Sequence, residues 1–139
     1  MKTKQLLFAL LLVFPFAVQA GNVPEAVTKA FAKKYPAVAE TSVKWETEDK
    51  NFEAEFKTSE GKEISAVFKA DGTLLTTEEE IETSALPAAI AEHITKNCAT
   101  PVIRKAEVIK DASGKIKQYE VEACGKEELL FDASGQLAK

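Results

Sequence analysis

The sequence contains few of the residues on which metal and redox chemistry depend. Among its 139 residues there are only 2 cysteines and 1 histidine. A structural zinc site needs four cysteine or histidine ligands, so these residues cannot form one. The two cysteines also do not form a Cys-x-x-Cys motif of the kind found in redox enzymes. We therefore expect no metal, no cofactor and no redox catalysis.

Excess positive charge and a membrane-spanning apolar run are also missing. The chain has 18 Lys and Arg residues against 22 Asp and Glu residues, a net charge of -4, which argues against nucleic acid as a partner. The apolar run from Leu6 to Phe14 is much shorter than the roughly 20 residues that a helix needs to cross a bilayer. The composition therefore excludes a nucleic-acid-binding protein and a transmembrane anchor.

The first twenty residues have the features of a secretory signal peptide. Lys2 and Lys4 precede the apolar run, and Val18-Gln19-Ala20 supplies the small residues of a cleavage site. We predict cleavage between Ala20 and Gly21, which leaves residues 21–139 as a single domain. No cysteine closely follows the apolar run, so a lipid anchor has no attachment point. We expect the mature protein in the periplasm or secreted, without a membrane attachment and in an oxidising compartment.

The rest of the chain contains an internal repeat. In each copy four positions spaced four residues apart form one apolar helical face. They are Val23, Val27, Phe31 and Tyr35 in the first copy and Leu86, Ile90, Ile94 and Cys98 in the second. Each predicted helix has a proline in its first turn, Pro24 or Pro87, where the missing N–H is not required. Asn22 in the first copy and Ser84 or Thr83 in the second are candidate N-caps.

After each predicted helix the apolar period changes from four residues to two, which is typical of half-buried strands. The predicted strands are 43–48, 52–57, 63–68, 102–110, 116–123 and 127–132. A further segment from Leu74 towards Ile81 is predicted to lie at an edge, with Glu78 to Glu82 as a solvated connector. The sequence therefore predicts an α+β fold of two tandem repeats, about 22–82 and 85–139. Each repeat has one helix followed by an antiparallel meander of three to four strands, with the helices packed on one sheet face.

A set of packing and turn residues follows a pattern known from one protein family. These are Val23-Pro24, Phe31, Tyr35-Pro36, Trp45, Phe52, Phe56, Phe68, Asp71-Gly72 and Leu86-Pro87. On these residues the chain resembles the PepSY-like family of small exported bacterial proteins, also described as "putative beta-lactamase-inhibitor-like". The resemblance implies a periplasmic tandem module without catalysis, whose relatives in shape bind and block other proteins. The second repeat departs from the pattern, since Cys98-Ala99 stands where Tyr35-Pro36 would recur.

The two cysteines are expected to pair with each other. Cys98 lies on the apolar face of the second predicted helix, and Cys124 follows a strand of the sheet that this helix should cover. In an oxidising compartment two cysteines that meet in one core form a disulfide. Two buried free thiols are the alternative. Cys98 cannot easily meet His93, because five residues along a helix turn the side chain by about 140°.

The sheet face opposite the helices, called here the helix-free face, is mostly charged by strand alternation. Its predicted binding residues are Lys44, Glu46, Glu53, Glu55, Val67, Lys105, Glu107, Ile109, Glu120, Glu122 and Leu130. Alternation also places Ile103 on this face. Apolar residues surrounded by charge are typical of protein interfaces. The alternatives are a plain polar surface, or burial of the apolar residues where the two half-sheets meet.

The sequence thus favours a non-enzymatic exported binding module. We expect it to present the helix-free face to another exported or envelope protein and to inhibit that protein. Paired carboxylates such as Glu53 with Glu55 lie on a solvated face without the cleft that acid–base catalysis requires. The alternative hypothesis is a periplasmic carrier or sensor of a small ligand or cation, which would require an enclosed pocket.

Overall fold

The computed structural model describes residues 16–18, 22–125 and 127–138. Within these ranges it contains two α-helices, α1 at Glu25–Lys34 and α2 at Ala88–Asn97. Two short 3₁₀ helices, Glu40–Ser42 and Thr83–Ala85, lead into the strands and into α2 respectively. The predicted cleavage point between Ala20 and Gly21 lies outside the described residues.

The strands of the described residues form one antiparallel sheet of eight, in which the spatial order follows the chain order. They are β1 (Phe16–Val18), β2 (Lys44–Glu48), β3 (Asn51–Lys57), β4 (Glu63–Lys69), β5 (Leu74–Glu80), β6 (Lys105–Asp111), β7 (Ile116–Ala123) and β8 (Glu127–Asp132). Four strands follow α1 and three follow α2. Because β5 pairs with β6, the strands of the two repeats form one continuous sheet.

Each helix begins directly after a proline. Pro24 and Pro87 are the N-cap residues themselves, and no side chain caps either helix. The prediction that Asn22, Ser84 or Thr83 would act as a cap is therefore wrong. The extended backbone of each proline (ψ 139° and 137°) directs its carbonyl towards the first turn. The Pro24 carbonyl accepts a hydrogen bond from the Val27 N–H at 2.9 Å.

The first repeat is built around Phe31 of α1. This ring is 2% exposed, and its centroid lies 5.5 Å from that of Trp45, 5.1 Å from Phe56 and 6.5 Å from Phe68, each in an edge-to-face arrangement. Aromatic pairs prefer this geometry, and each is worth about 0.5–1.5 kcal/mol beyond the area it buries. Phe31 therefore fixes α1 on the first four-stranded segment of the sheet.

The second repeat has a core with fewer aromatic residues in the equivalent place. Its buried members are Ile90, Ile94, Val108, Tyr119, Val121, Ala123 and Phe131. Paired residues share a sheet face, and the pairs Val108–Tyr119 and Tyr119–Phe131 put these side chains under α2. Ile103 also packs against this core, so its predicted place on the helix-free face is wrong. It precedes β6, where strand alternation no longer applies.

The last turn of each repeat contacts the helix that begins it. A Cβ atom on Gly72 would lie 2.5 Å from the Ala26 carbonyl oxygen, and one on Gly135 would lie 3.2 Å from the Ala89 Cβ. Both glycines have a positive φ, 86° and 85°. Gly72 and Gly135 are separated along the chain by the same distance as Ala26 and Ala89. Both repeats therefore have the same close contact between the helix and the last turn.

β5 lies in the middle of the sheet. It pairs with β4 on one side and β6 on the other, and Glu78 and Glu79 within it are half-buried. The prediction of an edge segment with a solvated acidic connector is therefore wrong. A run of consecutive acidic residues looks like a surface element in the sequence, but the pairing of the two repeats encloses this strand.

Candidate functional site

The helix-free face extends across both repeats. Cross-strand pairing puts directly opposed residues on the same side of a sheet. One such row runs through Lys44, Glu55, Ser65, Glu78 and Ile109. The register places all eleven predicted binding residues on this face, opposite the two cores. It adds Glu78, which strand alternation in the sequence did not identify.

Three carboxylates converge at the centre of the helix-free face. Glu78 of β5, Glu107 of β6 and Glu120 of β7 each offer an oxygen, and these oxygens all lie within 4.8 Å of one another. Glu107 and Glu120 are directly paired. Like charges in that position repel each other. We call Glu78, Glu107 and Glu120 the carboxylate trio.

The surroundings of Glu78 and Glu120 oppose their ionisation. Burial, followed by the charges of Glu120, Glu107 and Glu53, raises the pKa of Glu78 from 4.5 to about 8, although Lys105 acts in the opposite direction. Burial, followed by Glu128 and Glu107, raises the pKa of Glu120 to about 7. A carboxyl group in such surroundings retains its proton near neutral pH. Glu78 and Glu120 can therefore donate a hydrogen bond, or exchange a proton for a cation.

Lysines neutralise part of the face on either side of the trio. Lys105 Nζ lies 2.7 Å from Glu107 Oε1. At the far end of the sheet Lys44 bonds to both Glu46 and Glu55, the latter at 3.0 Å. The hydrogen bond to Glu46, and to a smaller extent the one to Glu55, raises the pKa of Lys44. Lys105 therefore balances part of the negative charge of the trio, and Lys44 balances charge at the far end of the sheet.

Hydrogen bonding also orders the first repeat's part of the face. The Ser65 hydroxyl donates to Oε1 of Glu53, one strand away. Glu46, beside Glu53 on β2, is only 4% exposed. Apolar side chains interrupt the charge, since Val67, Ile109 and Leu130 are half-buried among the carboxylates. The face thus combines partly buried charge with small apolar patches.

Sequence reasoning missed Glu78 because β5 is polar on both sides. Its residues are Leu74, Leu75, Thr76, Thr77, Glu78, Glu79 and Glu80, a run without apolar alternation. The remaining signal was the preceding Asp71-Gly72 turn followed by β-branched threonines, which favour strands. On the opposite face Glu79 accepts a bond from Lys110 of β6 at 2.9 Å. This cross-repeat pair accounts for a charged residue in the middle of the sheet.

The two cysteines form a disulfide, as predicted. Cys98 is the residue that ends α2, and Cys124 directly follows β7. Their Cα atoms are 5.0 Å apart in the bonded pair. His93 is turned away from Cys98, with its ring edge against Phe131 at a centroid distance of 5.4 Å. The disulfide fastens the end of α2 to the sheet and leaves no thiol for catalysis.

Three solved structures are similar to the chain over most of its length. One is described as a "putative periplasmic" protein from Bacteroides eggerthii DSM 20697, with a TM-score of 0.66, 18% identity and coverage of 84% of this chain and 86% of that chain. A DUF2874 family protein from Bacteroides ovatus ATCC 8483 has a TM-score of 0.66 and 19% identity, covering 84% of each chain. A BLIP-like protein from Bacteroides fragilis NCTC 9343 has a TM-score of 0.58 and 22% identity, with the same coverage. At these identities the likeness shows a shared fold.

Further observations concern the sequence of the chain and the helices of its described residues. No curated protein matches its sequence. Of the helices in the described residues, none is long and apolar enough to cross a membrane. The family model described as "Putative beta-lactamase-inhibitor-like, PepSY-like" matches twice, at residues 15–76 and 58–139, and the two overlapping matches together include both repeats. The chain therefore belongs to the PepSY-like family.

Proposed function

We propose that the protein is an exported, non-enzymatic module that binds a basic surface of another exported or envelope protein and blocks that protein's activity. The binding surface is the helix-free face. The family description and the BLIP-like neighbour, both named for inhibitors of β-lactamase, support a role in binding. The neighbour described as periplasmic supports export.

The observation that carries this proposal is the set of carboxyl groups spread across one sheet face. Glu53 and Glu55 lie on β3, and Glu78, Glu107 and Glu120 lie on β5, β6 and β7. Both cores lie on the opposite face, so the helices of the described residues leave this face open. Complementary charge guides protein partners together and fixes their relative orientation. A partner with lysines or arginines on its surface matches it.

The apolar residues of the face strengthen the case for a protein partner. Val67, Ile109 and Leu130 are half-buried and lie in three different strands of the same face. Interfaces typically combine an apolar centre with a polar rim. A small cation could use the carboxylates but would gain nothing from these side chains.

Capture from an envelope extract tests the proposal. Capture is done at pH 8, above the pKa of about 7 of Glu120. The bait is the immobilised protein, and the variant is Glu107→Gln with Glu120→Gln, which removes two charges with almost no change in shape. We expect the variant to lose the captured protein, since a basic partner loses its opposing charges. The control is Glu60→Gln with Glu92→Gln, two exposed glutamates in the β3–β4 turn and on α2, which should leave capture unchanged. Equal capture by both variants, or loss only with the control, would refute the use of this face.

An enzyme assay tests the inhibitory role separately. Hydrolysis of a chromogenic cephalosporin by a purified β-lactamase is measured with and without the protein in excess. If the protein inhibits as its family description suggests, the rate falls with increasing protein, and the Glu107→Gln, Glu120→Gln variant inhibits less. An unchanged rate would limit the proposal to binding without inhibition of this enzyme class.

The carboxylate trio favours a second candidate function, a carrier or sensor of a cation. Calcium takes six to eight oxygen ligands, so three carboxylates would supply part of the set and water the rest. Because a cation must displace the trio's protons, its affinity should rise with pH. Isothermal titration with Ca²⁺ at pH 6 and pH 8 tests this. Absence of binding at both values, or binding that survives Glu107→Gln with Glu120→Gln, would reject it.

A further inference from the structure

The outer edge of β2 is covered by a short segment from the beginning of the chain. β1 pairs antiparallel with β2 in the register Phe16–Thr47, Ala17–Glu46 and Val18–Trp45. These three residues fall within the predicted signal peptide. If export removes residues 1–20, β2 becomes the edge of the sheet, and its outward backbone groups lose their partners.

The hairpin that joins β2 to β3 shows which groups these are. Its turn has two residues, Asp49 and Lys50, both with positive φ (46° and 70°), so Glu48 and Asn51 form the hydrogen-bonded pair next to the turn. Bonded and non-bonded pairs alternate along antiparallel strands. The N–H and C=O groups of Trp45 and Thr47 therefore point away from β3, towards the outer edge.

The opposite edge of the sheet is covered differently. Leu137 forms a bridge with Phe131 of β8, and the Ala138 N–H donates to the Leu130 carbonyl at 2.7 Å. These residues stay with the chain after removal of a signal peptide. Of the two edges, that of β2 is therefore the one that processing would open.

A groove lies beside this edge on the helix side of the sheet. Its volume is about 340 Å³, and its apolar lining residues are Val23, Phe31, Val43 and Trp45. A residue placed opposite Trp45 by strand pairing points to the same side as the Trp45 ring. Its side chain would therefore reach the groove. Peptide recognition by strand addition depends on this combination of backbone hydrogen bonds and side-chain pockets.

We propose that in the processed protein the β2 edge binds an extended apolar strand of a partner polypeptide, antiparallel and with an apolar side chain opposite Trp45. The inference rests on export as part of the proposed function and adds a second contact beside the helix-free face. The chain's own Phe16–Val18 shows the kind of segment that this edge accepts. A second copy of β2 suits the edge less well, because full antiparallel overlap would place Glu46 opposite Glu46, and like charges in that position repel.

The test uses protein recovered from the periplasm of cells that express the full chain, with its N-terminus determined by mass spectrometry. The probe is a synthetic peptide with the sequence of residues 14–20. Amide signals of the ¹⁵N-labelled protein are followed during titration, and hydrogen exchange is measured at saturation. We expect the Trp45 and Thr47 amides to shift and to gain protection.

Two methylated peptides provide matched controls. In the observed register the N–H of the residue opposite Trp45 bonds to β2, whereas that of Ala17 points away. N-methylation at Val18 should therefore weaken binding about tenfold, since it removes one hydrogen bond and crowds the edge. N-methylation at Ala17, whose N–H makes no bond to β2, should change binding less than threefold.

Three results would overturn the proposal. The first is a chain that still begins at Met1, because the edge would then remain covered. The second is equal binding of both methylated peptides, which indicates apolar adhesion without strand pairing. The third is a concentration-dependent dimer whose Trp45 and Thr47 amides are protected without peptide. The Glu107→Gln, Glu120→Gln variant should bind the peptide as well as the parent protein does. A loss of partner binding at the helix-free face can therefore be distinguished from a loss of peptide binding at β2.

Discussion

Replacing Glu78 by glutamine should stabilise the protein, and increasingly so as the pH rises. Glutamine keeps the shape of the side chain and cannot ionise. In the folded protein burial and the neighbouring carboxylates raise the pKa of Glu78 to about 8, whereas an unfolded chain leaves it near its ordinary value. Between these two values the folded state binds the proton more tightly, so the free energy of unfolding falls as pH increases.

The size of the effect follows from this pKa difference. One pKa unit corresponds to about 1.4 kcal/mol, so complete ionisation of Glu78 costs the folded state on the order of 5 kcal/mol. Glu78 and Glu120 interact, so part of this cost belongs to the pair and a single substitution recovers only part of it. We therefore expect Glu78→Gln to raise the free energy of unfolding by about 2 kcal/mol at pH 8.5 and by less than about 0.5 kcal/mol at pH 4.5.

Urea denaturation from pH 4.5 to 9 measures this difference. The control is Glu82→Gln, an exposed glutamate just beyond the same strand, which should change stability by less than about 0.5 kcal/mol at every pH. A Glu78→Gln effect that does not depend on pH would refute the proton-linkage argument. A variant less stable than the parent at pH 8.5 would show that ionised Glu78 makes a stabilising contact.

The other predictions concern the two covalent and steric constraints on the fold. Reduction of the Cys98–Cys124 disulfide, which spans 26 residues, should lower the free energy of unfolding by about 3 kcal/mol, measured as a shift of the urea midpoint with and without reductant. No shift would mean that the core alone holds the end of α2. Gly114→Ala should cost about 1 kcal/mol, because its φ is 85° in open space. Gly72→Ala should cost at least about 1 kcal/mol more, because its Cβ would lie 2.5 Å from the Ala26 carbonyl oxygen. Equal decreases in melting temperature for the two alanine variants would contradict a close contact between Gly72 and Ala26.

Much of the fold could be read from periodicity. The strands predicted at 116–123 and 127–132 coincide with β7 and β8; Tyr119, Val121 and Ala123 alternate with charged residues in β7, and a short apolar run marks β8. The apolar faces of both helices predict their positions, and the place of Cys98 on one helix and of Cys124 after a strand predicts the cysteine pair. These features depend on local patterns, which one sequence contains in full.

The carboxylate trio could not be read in the same way. Glu107 and Glu120 were assigned to the helix-free face by alternation, but Glu78 belongs to a strand with no apolar period. The three groups meet only because β5 of one repeat pairs with β6 of the other. Register between repeats depends on pairing across distant parts of the chain, which local periodicity does not encode. The prediction for Ile103 is wrong for a different reason, since this residue lies outside any strand and strand alternation does not apply to it.

The bridge between Leu137 and β8 has a consequence for assembly. Sheets with two open edges can add copies at both ends and grow into filaments, whereas a sheet with one open edge can only add one partner. Here Leu137 and Ala138 cover the β8 edge at Phe131 and Leu130. Association through strand pairing is therefore favoured at β2 over β8. The protein can gain a strand from a partner and still form a finite one-to-one complex.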